Sequence, residues 1–338
     1  MATSAPLICS LDTDQAFVAQ VSSHLGLQSM ELEERDFGDG ENKIRPLCSV
    51  RDRDVYLVQS IYSDAGLSVN DKLVRVLFLI GALRDASAGR ITLVAPYICY
   101  SRKDRRAQLR DPVASRYVSQ LLECMGINRV VTLDVHNEAA FQNSFRCPSE
   151  TLHTQRLFVD HFSALLPPDR LCVASPDIGG VKRAESFRAQ LSRFIGLAVG
   201  QAFVDKQRSN GQVRGEATVV GDVRGQDIIL YDDMIASGTT VVRAAEALLS
   251  QGARSVHAAA THGVFAEEAN SALASAPISS ITVTDSVPPW RLVDEKARAK
   301  LTVLGVAPFI GDVVSRLNRS ESLAELMDEL NNAHRHSE

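Results

Sequence analysis

The sequence is poor in the features that mark several simple functional classes. It has one Trp, only 6% aromatic residues and six scattered Cys without a Cys-x-x-Cys pair. This pattern gives no zinc signature and favours reduced thiols, which are typical of a cytoplasmic protein. The most apolar window, 73–83, contains Arg75 and is too short to span a bilayer. No basic region precedes an apolar stretch near residue 1, so we do not expect a secretory signal.

An excess of charge of either sign is also missing. Lys and Arg total 36 against 41 Asp and Glu, which gives a net charge of −5. No global field attracts nucleic acid or an anionic membrane, so we expect neither as a partner. An anionic ligand must therefore be bound by a local site. A length of 338 residues with 45% hydrophobic content suits a soluble protein of two domains.

Apolar runs alternate with amphipathic segments, the pattern of mainly parallel sheets flanked by helices in an α/β fold. We predict two similar domains, 1–147 and 148–338, the second ending in a helix near Ser322, where Glu325 completes a capping box. The predicted strands are 55–60, 91–97, 129–136, 171–176, 195–199, 227–231, 255–262 and 279–284. The predicted helices are 70–86, 112–125, 180–192 and 239–251.

The most informative stretch follows the apolar run 228–231. It reads Asp232-Asp233-Met234-Ile235-Ala236-Ser237-Gly238-Thr239-Thr240. The pattern indicates a strand, a turn of small and hydroxyl residues, and a helix whose first N–H groups and dipole can hold a phosphate. The two carboxylates can hold sugar hydroxyls, directly or through a metal. This combination favours a sugar phosphate, and the alternative is an ordinary strand–turn–helix corner.

Asp177 ends another predicted strand, ahead of Gly179-Gly180 at a helix start and the Lys182-Arg183 pair. An Asp there can ligate Mg²⁺, and glycines let a polyphosphate approach the backbone. The alternative is a Gly-rich turn followed by a solvated Lys-Arg pair.

Asp134 and His136 end a third predicted strand, where alternation would place them on one face. There they could serve a metal-bound polyphosphate, although a strand-end His is often a structural residue. Arg102 and Lys103 lie in a cationic loop after the strand 91–97, which is either a phosphate site or a solvated charge run.

Two further loops have both a functional and a structural interpretation. Phe37 precedes Asp39 and Glu41 on a Gly-rich turn, which can stack and hydrogen-bond a base or simply form a hairpin. Lys206 and Arg208 lie in a polar loop that can close over a polyphosphate or remain solvated.

In this order, the segments resemble those of ribose-phosphate pyrophosphokinase, the synthetase that makes 5-phosphoribosyl 1-pyrophosphate (PRPP). The resemblance runs from about Phe37 to Pro288. It implies two phosphoribosyltransferase-like (type I) domains and a homo-oligomer, either a dimer or a hexamer, with Mg²⁺-ATP near subunit and domain boundaries.

The same resemblance implies residue roles. ATP-handling residues would be Phe37, Asp39, Glu41, Arg102, Lys103 and His136, the first three on an adenine loop lent by a neighbouring subunit. His136 and Asp177 match magnesium positions, and Lys206 and Arg208 match the catalytic mobile loop. The ribose-5-phosphate site would contain Arg208, Asp232, Asp233, Ala236, Ser237, Gly238, Thr239 and Thr240.

The implied reaction is attack of the 1-hydroxyl of ribose 5-phosphate on the β-phosphorus of ATP, giving PRPP and AMP. The chain departs from the usual family pattern at Lys103, Asp205, Ala236 and Thr239. One alternative is a phosphoribosyltransferase that consumes PRPP, which would not need the Phe37 turn or a second similar domain. Another is a non-catalytic regulatory subunit, against which the retention of Lys206, Arg208, His136 and Asp177 argues.

Overall fold

The computed structural model of the chain describes residues 5–205 and 218–332 and, for the backbone alone, 208–209 and 212–213. Contacts within it define two compact units. Unit 1 holds the chain up to Leu152 together with Val306–Leu330, and unit 2 holds His153–Gly305 and the chain from Asn331 onward. No helix among the described residues is long and apolar enough to cross a membrane.

The strands of unit 1 are β1 (Leu7–Cys9), β2 (Leu32–Asp36), β3 (Asn42–Pro46), β4 (Asp54–Val58), β5 (Arg90–Ala95), β6 (Arg129–Leu133) and β7 (Ser149–Leu152). Those of unit 2 are β8 (Leu171–Ser175), β9 (Gly200–Asp205), β10 (Arg208–Ser209), β11 (Gln212–Val213), β12 (Thr218–Val220), β13 (Asp227–Ile235), β14 (Ser255–Gly263), β15 (Ser280–Thr284) and β16 (Leu301–Leu304).

The helices are α1 (Gln15–His24), α2 (Val69–Asp85), α3 (Ala114–Met125), α4 (Glu138–Ser144), α5 (Gln155–Leu165), α6 (Val181–Ile195), α7 (Thr239–Ser250), α8 (Ala269–Ser275), α9 (Glu295–Arg298), α10 (Ala307–Asn318) and α11 (Leu323–Asn332). Local signals account for several of their ends. Ser68 and Asp71 form a capping box at the start of α2, and the Ser322 hydroxyl accepts from the Glu325 N–H beside α11, 3.2 Å away.

Parallel pairing dominates both units. In the described part of unit 1, five parallel strands lie in the order β1-β4-β5-β6-β7, and β2 and β3 form a separate antiparallel pair. In the described part of unit 2, seven strands lie in the order β12-β9-β8-β13-β14-β15-β16, where β12 runs antiparallel to β9, and β10 and β11 form a separate antiparallel pair. The central strands are buried, as expected when helices cover both faces. The prediction of a mainly parallel α/β fold is confirmed.

Strand β13 extends past one of its neighbours. It pairs with β8 only as far as Leu230 and Ala174, but with β14 as far as Ile235 and Gly263. The predicted strand ended at residue 231, whereas the ladder to β14 carries it four residues further. Both carboxylates therefore lie on a strand end that is paired on one side only, where the sheet opens a crevice for a ligand.

The predicted strand 195–199 is wrong. Helix α6 continues through Ile195, and Gly196 ends it with a left-handed φ of 71°. The next strand, β9, begins only at Gly200. The prediction failed because a short apolar run can belong either to the end of a helix or to a strand.

Helix α10 lies in unit 1, although the sequence division placed it with the second half of the chain. His24 Nε2 at the end of α1 lies 2.8 Å from Asp312 Oδ1, and a Cβ on Gly311 would lie 2.6 Å from the His24 ring. Asn318 donates to Asp54 of β4 at 3.0 Å. These contacts return the distant helix to the first sheet.

Candidate active site

The acid pair of unit 2 is held by an arginine from α6. Arg183 Nη1 donates to Asp232 Oδ1 at 2.7 Å and lies 3.0 Å from Asp233 Oδ1. The Asp233 side chain is only 2% exposed, against 18% for Arg183 and 20% for Asp232. The sequence alternatives for Lys182-Arg183 included a solvated pair. Lys182 is exposed as that alternative proposed, but Arg183 turns to the carboxylates.

Burial controls the charge of Asp232. Burial first, and then the negative charge of Asp233, raise the pKa of Asp232 to about 7, while Arg183 acts in the opposite direction. Burial and the Asp233 charge both favour the protonated form of this carboxyl. Such a group is a recognised marker of a functional site.

Asp177 follows β8 and begins a short 3₁₀ turn. Its Oδ1 accepts from the Gly180 N–H at 3.3 Å, and its carbonyl accepts from the Ser175 hydroxyl at 2.6 Å. A Cβ on Gly180 would lie 2.7 Å from Ser175 Oγ and 3.5 Å from Asp232 Oδ1. A side chain at Gly180 would therefore crowd the Ser175 hydroxyl, whereas its distance to the acid pair would be an ordinary van der Waals contact. Sequence reasoning singled out Asp177 but missed Ser175.

The turn after β13 leaves the start of α7 open. Gly238 is the N-cap, with φ of 76°, and has no side chain to cap the helix, while the Thr239 N–H donates to the Ser237 hydroxyl at 3.4 Å. Ser237 Oγ donates to Thr239 Oγ1 at 3.2 Å, and Thr239 is exposed. A helix start with a glycine N-cap and neighbouring hydroxyl groups is suited to an anion. Ala236, Ser237 and Thr240 are partly exposed around it and Gly238 is buried.

A buried phenylalanine supports this turn from below. Phe265 follows β14, and its N–H donates to the Ile235 carbonyl at 3.0 Å. The next N–H, of Ala266, donates to Ala236 at 2.9 Å. Phe265 is fully buried and has a φ of 41°, a region that non-glycine residues rarely adopt. Sequence reasoning missed Phe265, and no local pattern in the chain pointed to it.

In unit 1, the cationic loop follows β5. Arg102 and Lys103 are exposed, and their side chains form no hydrogen bond or ion pair with the residues that the structure describes. The backbone beneath them is held, because the Lys103 carbonyl accepts from the Ser115 hydroxyl at 3.1 Å. Asp104 accepts from the Asn137 side chain at 2.6 Å. The loop is thus tied to the segment that follows β6.

The prediction that Asp134 and His136 share a strand face is wrong. Strand β6 ends at Leu133, and Asp134 has a φ of 37°. Alternation therefore stops before the pair. Asp134 is 3% exposed, whereas His136 lies on the surface. Of the two, His136 is the one that a ligand can reach.

Phe37 lies on the turn between β2 and β3, so this segment is a hairpin. The Phe37 N–H donates to the Glu41 carbonyl at 2.8 Å, and the Asp39 carboxylate accepts from the Glu41 N–H at 3.1 Å. The Arg35 guanidinium lies 5.2 Å from the Phe37 ring centroid. The ring is 39% exposed. A hairpin is compatible with both interpretations of the sequence, because its tip presents the ring and the acids to solvent.

Two of the predicted site residues are not described in full by the structure. Lys206 is outside the described residues, and only the backbone of Arg208 is described, in β10. The segment follows Asp205, at the carboxyl end of β9. Within the described ranges, no group of three or more His, Cys, Asp and Glu side chains could hold a metal ion by itself.

Comparison with known proteins matches this arrangement to one family. Residues 7–126 match the model of the N-terminal domain of ribose phosphate pyrophosphokinase. Residues 200–328 match that of the phosphoribosyl synthetase-associated domain.

Full-length relatives give the same result. A ribose-phosphate pyrophosphokinase from Caldanaerobacter subterraneus is 35% identical over 93% of this chain and 95% of its own length. One from Rhodopirellula baltica is 37% identical over 90% and 93%. The crystal structure of phosphoribosylpyrophosphate synthetase from Mycobacterium smegmatis superposes with a TM-score of 0.82 at 32% identity, covering 93% of this chain and 99% of that one.

Proposed function

The chain belongs to the ribose-phosphate pyrophosphokinase family and is a PRPP-forming enzyme, and from that premise we propose that it uses ATP and ribose 5-phosphate. In this proposal the 1-hydroxyl oxygen attacks the β-phosphorus, the bond between that phosphorus and the oxygen of the α-phosphate breaks, and AMP leaves. The hydroxyl proton passes to solvent. The observation that carries the proposal is the start of α7, where the N-cap Gly238 has no side chain, beside the acid pair of β13.

The ribose 5-phosphate site is assigned to unit 2. The N–H groups at the start of α7, with Ser237, Thr239 and Thr240, would receive the 5-phosphate. The carboxylates of Asp232 and Asp233 would accept hydrogen bonds from the ribose hydroxyls. Donors and acceptors are thus separated along one turn, and this separation sets the direction in which the sugar phosphate binds.

The ATP site is assigned to the loops of unit 1. Arg102 and Lys103 offer exposed donors without competing partners in the described part of the chain, which suits phosphate oxygens. Phe37, Asp39 and Glu41 would contact the adenine. Lys103 adds a positive charge at a position where the family usually has Gln.

Magnesium fits the donors that the chain offers. Mg²⁺ prefers oxygen ligands and is commonly held by one or two carboxylates, substrate phosphates and water. The partly exposed carboxylate of Asp177 is such a donor, and we assign both Asp177 and His136 as magnesium ligands. When bound, Mg²⁺ would supply positive charge to the oxygens of the transferred group.

Catalysis in this proposal rests on alignment and on positive charge. No side chain need become covalently attached, because diphosphoryl transfer requires the hydroxyl and the phosphorus in line and cations near the oxygens that gain charge. We assign the second task to Lys206 and Arg208. We also propose a homo-oligomer in a reducing cytoplasm, the latter supported by six cysteines that are all free thiols.

The test is an assay of the purified chain with Mg²⁺, ATP and ribose 5-phosphate. We expect AMP and PRPP in equal amounts, followed by ³¹P NMR, and no product when EDTA removes the metal. A control with PRPP and nucleobases in place of ATP and ribose 5-phosphate separates the alternatives. Loss of PRPP in that control, with no AMP in the main assay, would identify a phosphoribosyltransferase instead.

A further inference from the structure

Arg183 lies where it can fix the geometry of the acid pair. One of its nitrogens, Nη1, is 2.7 Å from Asp232 Oδ1 and 3.0 Å from Asp233 Oδ1. A single donor nitrogen therefore bridges two carboxylates that would otherwise repel each other. Because Asp233 is 2% exposed, solvent cannot replace this bridge. A buried carboxylate that loses its partner is strongly destabilised.

The bridge also orients Asp232. Its Oδ1 accepts from Arg183 and, at 2.9 Å, from the Asp233 N–H. Its Oδ2 accepts no hydrogen bond from any residue that the structure describes. Two donors on one oxygen hold the carboxylate plane, and 20% of the Asp232 side chain stays exposed to a ligand.

The start of α6 lies close to the acid pair. A Cβ on Gly180, one turn before Arg183, would lie 3.5 Å from Asp232 Oδ1 and 3.8 Å from Arg183 Nη1. Arg183 reaches the pair from the first turn of α6, next to the Asp177 turn. The neighbouring cation, Lys182, is exposed and forms no ion pair in the described structure. The two adjacent cations therefore have different tasks.

We propose that Arg183 is a positioning residue for the sugar: it holds Asp232 and Asp233 together and presents Asp232 Oδ2 to a ribose hydroxyl. Arg183 acts through the acids and does not touch the sugar. The inference rests on the proposed function, because it deepens the ribose 5-phosphate site of that proposal.

The test compares Arg183→Gln and Arg183→Lys with the matched control Lys182→Gln. Hydrogen bonds that involve charged groups are worth enough to change affinity roughly 10- to 100-fold. We therefore expect Arg183→Gln to raise KM for ribose 5-phosphate by that factor at saturating Mg²⁺-ATP, with kcat reduced much less. The ATP dissociation constant should stay unchanged. Arg183→Lys should recover part of the loss, since it keeps the charge.

Lys182→Gln should behave like the wild type, because salt screens an exposed charge. A wild-type KM in Arg183→Gln would overturn the inference. So would equal losses toward both substrates, the sign of general damage. Inactivity of the wild-type protein would instead refute the proposed function, so the two failures are distinguishable.

A double-mutant cycle tests the bridge itself. Asp233→Asn removes one of the charges that Arg183 balances, so Arg183→Gln should cost less in that background than alone. The melting temperature of each variant shows whether it is folded. If Arg183→Gln does not fold, the comparison is made with Arg183→Lys. Additive effects of the two substitutions on KM would contradict a shared role.

Discussion

The acidic side chains of the proposed site differ in burial, and burial affects how readily a carboxyl ionises. Asp177 is partly exposed at the start of a turn, whereas Asp232 is largely buried beside Asp233 and Arg183. The hydroxyl groups of the phosphate turn are uncharged at every physiological pH. Substitution and pH should therefore affect the sugar and the phosphate ends of the site differently.

The pH dependence of sugar binding should follow Asp232. Its pKa is raised to about 7 by burial and by Asp233, so the carboxylate is ionised above that pH and protonated below it. We expect the apparent affinity for ribose 5-phosphate to fall as the pH decreases from about 8 to about 6. The phosphate of ribose 5-phosphate also titrates in this range, and its contribution to the pH dependence is the same in all variants. Asp232→Asn should therefore remove only the contribution of Asp232 to the pH dependence. An identical pH profile in Asp232→Asn would contradict the assignment.

Thr240 should affect ribose 5-phosphate more than ATP. Removing its hydroxyl in Thr240→Val takes away one hydrogen bond to a charged phosphate, worth roughly 1.5–3 kcal/mol. We expect KM for ribose 5-phosphate to rise and KM for ATP to change little. Ser250→Ala, at the other end of α7 where the hydroxyl donates to Ala247, is the control. Equal effects of Thr240→Val on both substrates would indicate general damage.

At the scale of elements, the residues that we assign to ligand binding lie on turns and at the ends of strands. The β2–β3 hairpin exposes Phe37 at its tip, and β9 delivers the chain to Asp205 at the same edge as Asp177, because β8 and β9 are parallel neighbours. The predicted ligand contacts of the hairpin and of the segment after β9 can therefore be removed by single substitutions that leave the sheets intact.

The hairpin prediction concerns nucleotide choice. If Phe37 stacks on adenine while Asp39 and Glu41 accept its donors, Phe37→Ala should weaken ATP binding and relax discrimination between ATP and GTP. Steady-state kinetics with both nucleotides provide the measurement. Leu47→Ala removes another exposed side chain just after β3 and should leave the preference intact. An unaltered preference in Phe37→Ala would mean that the tip is structural.

The predicted loop around Lys206, which follows β9, should act on turnover. Lys206→Ala is expected to lose roughly 10²–10³-fold in kcat, the scale seen for single charge-stabilising groups, with little change in the ATP dissociation constant at equilibrium. Asp205→His should preserve or raise kcat, because it removes a negative charge next to Lys206. Ordinary turnover in Lys206→Ala would show that the loop is a solvated connector.

At the scale of the whole molecule, the chain visits unit 1, then unit 2, and returns to unit 1. The returning helix α10 covers α1 and donates through Asn318 to β4. Unit 2 has its own sheet and its own buried core. The two units should therefore respond separately when the C-terminal part of the chain is removed.

A chain that stops after Gly305 should lose stability in unit 1. We expect faster hydrogen exchange in α1 and β4, because both lose their contacts with α10, and unchanged exchange in β13 and β14. A chain that stops after Ser320 keeps α10 and serves as the control. Faster exchange in β13 alone would contradict the assignment of α10 to unit 1.

Local patterns in the sequence determined most of the fold and part of the site. The alternation of apolar runs and amphipathic segments predicted parallel sheets, because strand and helix periods are written into neighbouring residues. The stretch 232–240 predicted a strand, a turn and a helix start, since its acids, hydroxyls and Gly238 each have a local conformational reason. The family followed from the order of these motifs. The roles of Lys206, Arg208 and the ATP-handling residues stay predictions.

Only the tertiary structure decided which distant groups meet. Arg183 follows an exposed lysine in the chain, yet contact across about 50 residues places it on the acid pair. The break at Asp134 puts it in the interior and His136 on the surface. Helix α10 returns to α1 across nearly the whole chain. The periodicity of the sequence does not predict these contacts. It indicates which face of an element a residue lies on, but not which other element packs against that face.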